Sequence, residues 1–151
     1  MTFEKIISLL PYQPPFLFVD ELHTVDEEGI IGSYTFKETA FFYQGHFKNN
    51  PVTPGVILTE TMAQIGLVGF GIYLLSLAEE KNTDLTKAQV ALTSTEMDFF
   101  IPVYPNEKVK VVSKKEYFRF NKLKCHVELF NEKEELVCRG KIAGMLKIDY
   151  K

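Results

Sequence analysis

Histidine and carboxylate side chains are suited to moving protons near neutral pH, and two of them stand out here for their surroundings. His46 lies in Gln44-Gly45-His46-Phe47, within a stretch rich in Gly, Pro and Asn. A loop of that kind can hold an imidazole between a backbone acceptor and a bound ligand. Glu60 is the one acid in a long apolar run, and no Lys or Arg occurs between Lys48 and Lys81 to pair with it. A carboxyl buried in apolar surroundings has its pKa raised, which lets it donate a proton near neutral pH. Gln64 follows four residues later, on the same face of a helix, where its amide can fix the carboxyl rotamer. Pro54 and Gly55 stand just before the run. A helix beginning there offers N–H groups at its positive end to a developing oxyanion, and Gly55 lets a ligand approach the main chain. Base, acid and oxyanion site would then converge on one carbonyl compound. His23 and His126 fall within strand patterns and read as ordinary strand residues.

These groups need a scaffold, and the sequence suggests one. The apolar run from Val56 to Ala78 is too long for an ordinary strand and is predicted to be a buried helix. A membrane span is disfavoured because Glu60 and Gln64 interrupt the run, and the stretch from Ile65 to Leu75 is short for a bilayer. Gly66, Gly69 and Gly71 lower helix propensity but permit a neighbouring backbone to come close, as when a sheet wraps the helix. Before it, residues 3–10 read as a short amphipathic helix ended by Pro11, with no signal-peptide pattern. Two strands, FLFVDELHTV (16–25) and IIGSYTF (30–36), are joined by the acidic turn Asp26-Glu27-Glu28-Gly29. Residues 37–55 form a structured loop crowded with Phe41, Phe42, Tyr43 and Phe47. After polar punctuation from Glu79 to Thr86, four strands are expected at 88–101, 108–120, 122–130 and 136–148. The expected architecture is α+β, a curved antiparallel sheet of about six strands packed over one dominant helix, in a single domain over 1–151.

Composition narrows the function classes. The chain has 151 residues and a formal net charge of −3, which argues against nucleic acid as a main ligand. Two cysteines, Cys125 and Cys138, form neither a disulfide framework nor a metal-ligand array, so a reduced, cytoplasmic protein without a metal is expected. Thirteen Phe and seven Tyr exceed the needs of one small core and point to an apolar pocket, an apolar interface, or both. Charge is uneven: residues 1–75 hold three Lys against eight acids, and seven basic residues fall in the strand pair at 108–130. That cluster, including Lys114 and Lys115, reads as either a solvated sheet face or a landing site for an acidic partner.

The segment GHFKNNPVTPGVILTETMAQ, Gly45 to Gln64, resembles the signature of the β-hydroxyacyl-[acyl-carrier-protein] dehydratases of type II fatty acid synthesis. Leu10-Pro11 with the block from Pro15 to Asp20 resembles that family's N-terminal segment, and the block from Met97 to Pro105 resembles a later strand and turn. The resemblance implies a hot dog fold, a sheet wrapped around one long helix. It also implies dehydration of a β-hydroxyacyl thioester, carried on the phosphopantetheine arm of acyl carrier protein, to the trans-2-enoyl thioester, with no further cofactor. His46 matches the family's base, which removes the α proton, and Glu60 matches the carboxylate that assists departure of the β-hydroxyl. Gly55 falls where a main-chain N–H binds the thioester carbonyl, and Gln64 matches the glutamine that orients the carboxylate. In such enzymes the histidine and the acid come from two subunits, so a homodimer is implied, with a trimer of dimers as a larger form.

Phe47, Leu67, Phe70 and Gly71 are candidates for lining an acyl tunnel, with a core role the preferred reading of the three helix residues. Lys48, Lys114 and Lys115 are candidates for docking the carrier. The chain departs from the family at Lys48-Asn49-Asn50, where Pro-Gly plus a basic residue is common, and at Tyr12-Gln13-Pro14, where His-Arg-Tyr is usual. Asp98, Phe100 and Ile101 replace the usual basic residues, and Pro105-Asn106-Glu107 replaces Pro-Gly-Asp. These changes suggest a specialised acyl or polyene pathway. Two other readings stand beside dehydration: a hot dog thioesterase, and a non-catalytic acyl-binding subunit of a heterodimeric dehydratase.

Overall fold

The computed structural model describes residues 1–78 and 84–148. Of the polar punctuation expected at Glu79 to Thr86, residues 79–83 lie outside the described residues. Helix α1, Phe3–Leu9, starts at Thr2, whose side chain accepts from the Lys5 N–H, and it buries Ile6 and Leu9. Strands β1 (Glu21–Val25) and β2 (Gly29–Thr35) form the expected hairpin. Its turn is held by Asp26 Oδ1, which accepts from the N–H groups of Glu28 at 2.8 Å and Gly29 at 3.1 Å.

Residues 16–20, expected as the start of the first strand, lie outside β1. Asp20 N–H still donates to the Ser33 carbonyl of β2, but backbone groups of Phe16 and Phe18 bond elsewhere. Phe18 N–H donates to Gln64 Oε1, and Phe16 C=O accepts from Gln64 Nε2. The segment is thus fastened to the long helix by a side chain.

That helix, α2, spans Gly55–Leu77, and its middle turn, Gln64–Gly69, is π-wound. Strands β3 (Ala88–Phe99), β4 (Lys108–Arg119), β5 (Lys122–Phe130) and β6 (Leu136–Ile148) complete one antiparallel sheet in the order β1-β2-β4-β5-β6-β3. β3 ends before Ile101 because the N–H groups of Phe100 and Ile101 both turn to the Val137 carbonyl, and Pro102 has no N–H to continue the ladder. β4 ends before Phe120 because Phe120 and Asn121, at φ 50° and 60°, make the two-residue turn into β5.

Strand alternation sorts the sheet faces. Val109, Val111 and Ser113 on β4 and Leu123, Cys125, Val127 and Leu129 on β5 point inward and are buried. Met62, Ile65, Phe70 and Ile72 meet them from α2, each at 1% exposure or less. Every such side chain contributes roughly 1.5–3 kcal/mol through its removal from water. Gly66 allows the closest approach: a Cβ there would stand 2.9 Å from Ser113 Cβ, and Ser113 Oγ donates to the Gly66 carbonyl at 2.8 Å. By length and composition α2 could cross a bilayer, but 78% of its most apolar window is buried inside the fold. A sheet wrapped around one central helix is the hot dog arrangement.

Candidate active site

His46 follows a 3-10 turn, Phe41–Gln44, and its N–H donates to the Phe42 carbonyl. The tip beyond it is tight, with Phe47 and Asn50 exchanging backbone hydrogen bonds and Asn49 at φ 61°, a conformation asparagine tolerates. Val52 N–H then returns to the His46 carbonyl. On the side-chain level, His46 Nδ1 lies 2.8 Å from the Val52 carbonyl. A carbonyl only accepts, so Nδ1 carries the hydrogen and the neutral ring keeps its lone pair on Nε2. The Phe47 ring stacks on the imidazole at a centroid distance of 4.1 Å.

The start of α2 lies beside this loop. Ile57 and Leu58 N–H both donate to the Pro54 carbonyl, while Gly55 and Val56, as the first helical residues, have N–H groups outside the helical ladder. No side chain among the described residues caps this end. The Phe99 ring lies 3.3 Å from where a Gly55 Cβ would stand, a close contact that a larger residue would relieve by a small shift of the ring. His46, Phe47, Thr53, Gly55, Phe99 and Phe100 line a shallow cleft of about 350 Å³.

Glu60 occupies a different part of the helix. It is half-buried rather than enclosed, and burial still pushes its carboxyl above the ordinary value, against the opposing hydrogen bond from Gln64. Gln64 is fully buried and donates from Nε2 to Glu60 Oε1 at 3.0 Å. Its amide cannot be turned over, because Oε1 accepts from Phe18 N–H at 2.8 Å and Nε2 also donates to the Phe16 carbonyl at 3.0 Å. Tyr12 lies within the field of Glu60: burial first, and then the carboxylate's charge, push the phenol up to about 12. The sequence marked Tyr12 only as a departure and gave no sign of its nearness to the acid.

The expected groups therefore fall into two sets. Gly55 and His46 share the cleft, whereas Glu60 does not line it. Five residues along a helix amount to about 140° of rotation, so Gly55 and Glu60 face different directions. Among the described residues no hydrogen bond or ion pair joins His46 to Glu60.

Other candidates are placed as follows. Phe47 lines the cleft, but Leu67, Phe70 and Gly71 do not. The last three are core: Leu67 and Phe70 are 1% and 0% exposed, and a Cβ on Gly71 would meet Leu146 Cδ2 at 2.6 Å. That packing fits the core reading of these three residues. Lys48 is exposed beside the cleft residue Phe47. Lys114 and Lys115 border a separate depression with Asp26 and Glu28. The basic strand pair is partly neutralised, with Lys110 at 3.1 Å from Glu134, Lys124 at 3.6 Å from Glu116 and Lys115 at 4.0 Å from Glu28. Burial pushes the thiols of Cys125 and Cys138 up to about 11 and about 12, which makes both poor nucleophiles.

Comparison with known proteins bears on the fold and the family of the chain. Residues 10–140 match the FabA-like domain family. The 3-hydroxyacyl-[acyl-carrier-protein] dehydratase FabZ of Acinetobacter baylyi is 42% identical over 71 residues, 46% of this chain and 48% of that one. Such matches span about half the length of the curated relatives, but FabZ of Caldicellulosiruptor saccharolyticus is 33% identical over 95% of this chain and 96% of its own. Among solved structures, the dehydratase heterocomplex ApeI:P of Xenorhabdus doucetiae superposes with a TM-score of 0.76 at 11% identity, covering 97% of this chain and 91% of that one. A mutant of the thioesterase PA1618 of Pseudomonas aeruginosa gives 0.67 at 9% identity, over 99% and 96%. At such identities the structural likeness establishes the shared fold alone. Together with the match over nearly the whole of a FabZ chain, the family match shows that this chain belongs to the FabA-like family, alongside the 3-hydroxyacyl-[acyl-carrier-protein] dehydratases.

Proposed function

We propose that this protein dehydrates a β-hydroxyacyl thioester, held on acyl carrier protein, to the trans-2-enoyl thioester. The observation that carries the reading is the division of labour between two poles. At one, His46 Nδ1 is bound to the Val52 carbonyl beside the open helix start at Gly55. At the other, Glu60 is held by Gln64 with its acidity weakened by burial.

The chemistry follows from these placements. His46 Nε2 takes the α proton while the Gly55 N–H binds the enolate oxygen, a donor worth roughly 3 kcal/mol of barrier when well placed. The carbon–carbon double bond forms as the β C–O bond breaks, and Glu60 gives its proton to the departing hydroxyl. One water leaves with the enoyl thioester. The proton gained by His46 and the one given up by Glu60 then exchange through solvent, restoring both groups.

A working site needs Glu60 from a second copy, because one chain turns base and acid apart. Among the described residues, the outer strand β3, Ala88–Phe99, has one edge without a neighbour in the sheet, the ready template for pairing with another chain. Beside it Phe47, Phe99 and Phe100 are 59%, 49% and 53% exposed, apolar surface that a homodimer would cover. The protein works in the cytoplasm in this reading, and the phosphopantetheine arm comes with the substrate.

The test offers the purified chain a β-hydroxyacyl thioester on carrier protein and follows enoyl absorbance. Enoyl product lost in His46→Ala is expected. Release of free thiol without enoyl product would identify a thioesterase instead. Binding without turnover, alone or with candidate partners, would identify an acyl-binding subunit.

A further inference from the structure

We propose that the buried hydrogen bond between Tyr43 and Thr53 is the clamp that positions His46. The inference rests on His46 being the base, and it concerns residues that contribute nothing to the reaction themselves. His46 and Val52 are joined twice, through Val52 N–H to the His46 carbonyl and through His46 Nδ1 to the Val52 carbonyl. The direction of the imidazole therefore follows the position of Val52. Among the described residues, the Phe47 and Asn50 backbones bond to each other at the loop tip and give no anchor outside it. The anchor is Thr53, the next residue. Its N–H donates to the Val103 carbonyl at 2.8 Å, and its hydroxyl is hydrogen-bonded to that of Tyr43, ten residues earlier.

Tyr43 stands where the chain enters the loop, just after Phe42, whose carbonyl accepts from His46 N–H. The Tyr43–Thr53 bond thus ties the two ends of the segment that carries the histidine. Both residues are 5% exposed, so water cannot replace a lost partner. Tyr43 is also gripped by the Phe42 ring, edge-on at 4.6 Å, and its N–H is bonded to the Ala40 carbonyl. A rigid aromatic holding a small hydroxyl fixes one point in space, and the Val52 carbonyl lies one peptide from it. This is the arrangement by which supporting hydrogen bonds choose a tautomer and a ring direction.

Thr53→Val keeps the side-chain shape and removes one hydroxyl, and Tyr43→Phe removes the other from outside the cleft. Each is expected to lower kcat about 10- to 100-fold, as a misdirected base does, with KM nearly unchanged. Thr53→Ser should restore activity, and the double variant should be no worse than the worse single, because both remove one shared bond. Nitrogen NMR of His46 gives a readout independent of turnover. The Nδ1–H tautomer should dominate in the wild type and in Thr53→Ser, and a mixture should appear in Tyr43→Phe and Thr53→Val. A folded Tyr43→Phe with wild-type kcat and tautomer would overturn the clamp, as would a loss of melting temperature alone. A wild type that makes no enoyl product would instead defeat the proposed dehydration, and the NMR comparison would still decide the clamp.

Discussion

Gln64 donates from Nε2 to Glu60 Oε1 at 3.0 Å, and its amide is locked in that sense by the backbone of Phe16 and Phe18. Glu60 Oε1 is therefore always an acceptor, which leaves Oε2 as the oxygen free to hold the acidic proton. The fold thus assigns the two carboxyl oxygens different tasks before any ligand arrives.

Glu60→Gln should abolish dehydration, by 100-fold or more on the order expected for loss of a general acid. It should also alter stability with a definite sign. Burial raises the folded-state value of Glu60 above its ordinary 4.5, so the stability this group contributes is present below about that pH and is lost as pH rises through the higher folded value. Melting temperature measured against pH should fall less steeply above 4.5 in Glu60→Gln than in the wild type. An identical slope would contradict the placement.

Gln64→Leu should destabilise the fold by about 2 kcal/mol or more, because it leaves the N–H of Phe18 and the carbonyl of Phe16 without their partners. Urea denaturation measures this directly. A loss confined to activity would mean that the residue serves the acid alone.

Two glycines separate packing from loop freedom. Gly66→Val should cost about 2 kcal/mol, since a Cβ there already meets Ser113 Cβ at 2.9 Å and Val127 Cγ1 at 3.1 Å. Gly45→Ala should change stability by no more than about 0.5 kcal/mol, because nothing lies within 4 Å of its added Cβ and its φ is −123°. Thermal unfolding of the pair would reveal any reversal of that order.

Carrier-bound substrate should depend on Lys48 more than on Lys114 or Lys115. Lys48 is exposed next to the cleft residue Phe47, whereas Lys114 and Lys115 border another depression and Lys115 already faces Glu28. Lys48→Glu should raise KM for the carrier-bound thioester and weaken its salt dependence. A larger effect from the Lys114→Glu and Lys115→Glu pair would place docking on the sheet instead.

Local pattern made much of the fold legible. The long apolar run announced α2 to within one residue at either end, and the alternation around Lys122-Leu123-Lys124-Cys125 announced β5. Residues 16–18 misled because their apolar character fits a strand, while the Phe18 N–H and the Phe16 carbonyl are taken by the side chain of Gln64, 46 and 48 residues away. The basic strand pair stayed open between a solvated face and a docking site, because two of its counter-charges, Glu28 and Glu134, come from turns outside it. Leu67, Phe70 and Gly71 show that an apolar helix residue announces burial without saying whether a ligand or Leu146 fills the space beside it. For the candidate site, residue type and spacing pointed to His46, Gly55, Glu60 and Gln64, and two of their relationships were legible: a helix start beside the histidine and an amide on the acid. The Tyr43–Thr53 bond was hidden, because a tyrosine among aromatics reads as packing until its hydroxyl is seen to have a partner.

The central claim is that base and acid act together across two copies of the chain. His46→Ala and Glu60→Gln proteins, each inactive alone, should be mixed in equal amounts under conditions that exchange subunits, and enoyl formation measured. Half the dimers would then be mixed, each with one intact site, so activity should recover to about a quarter of the wild-type level. A mixture no more active than its two components would contradict the shared site.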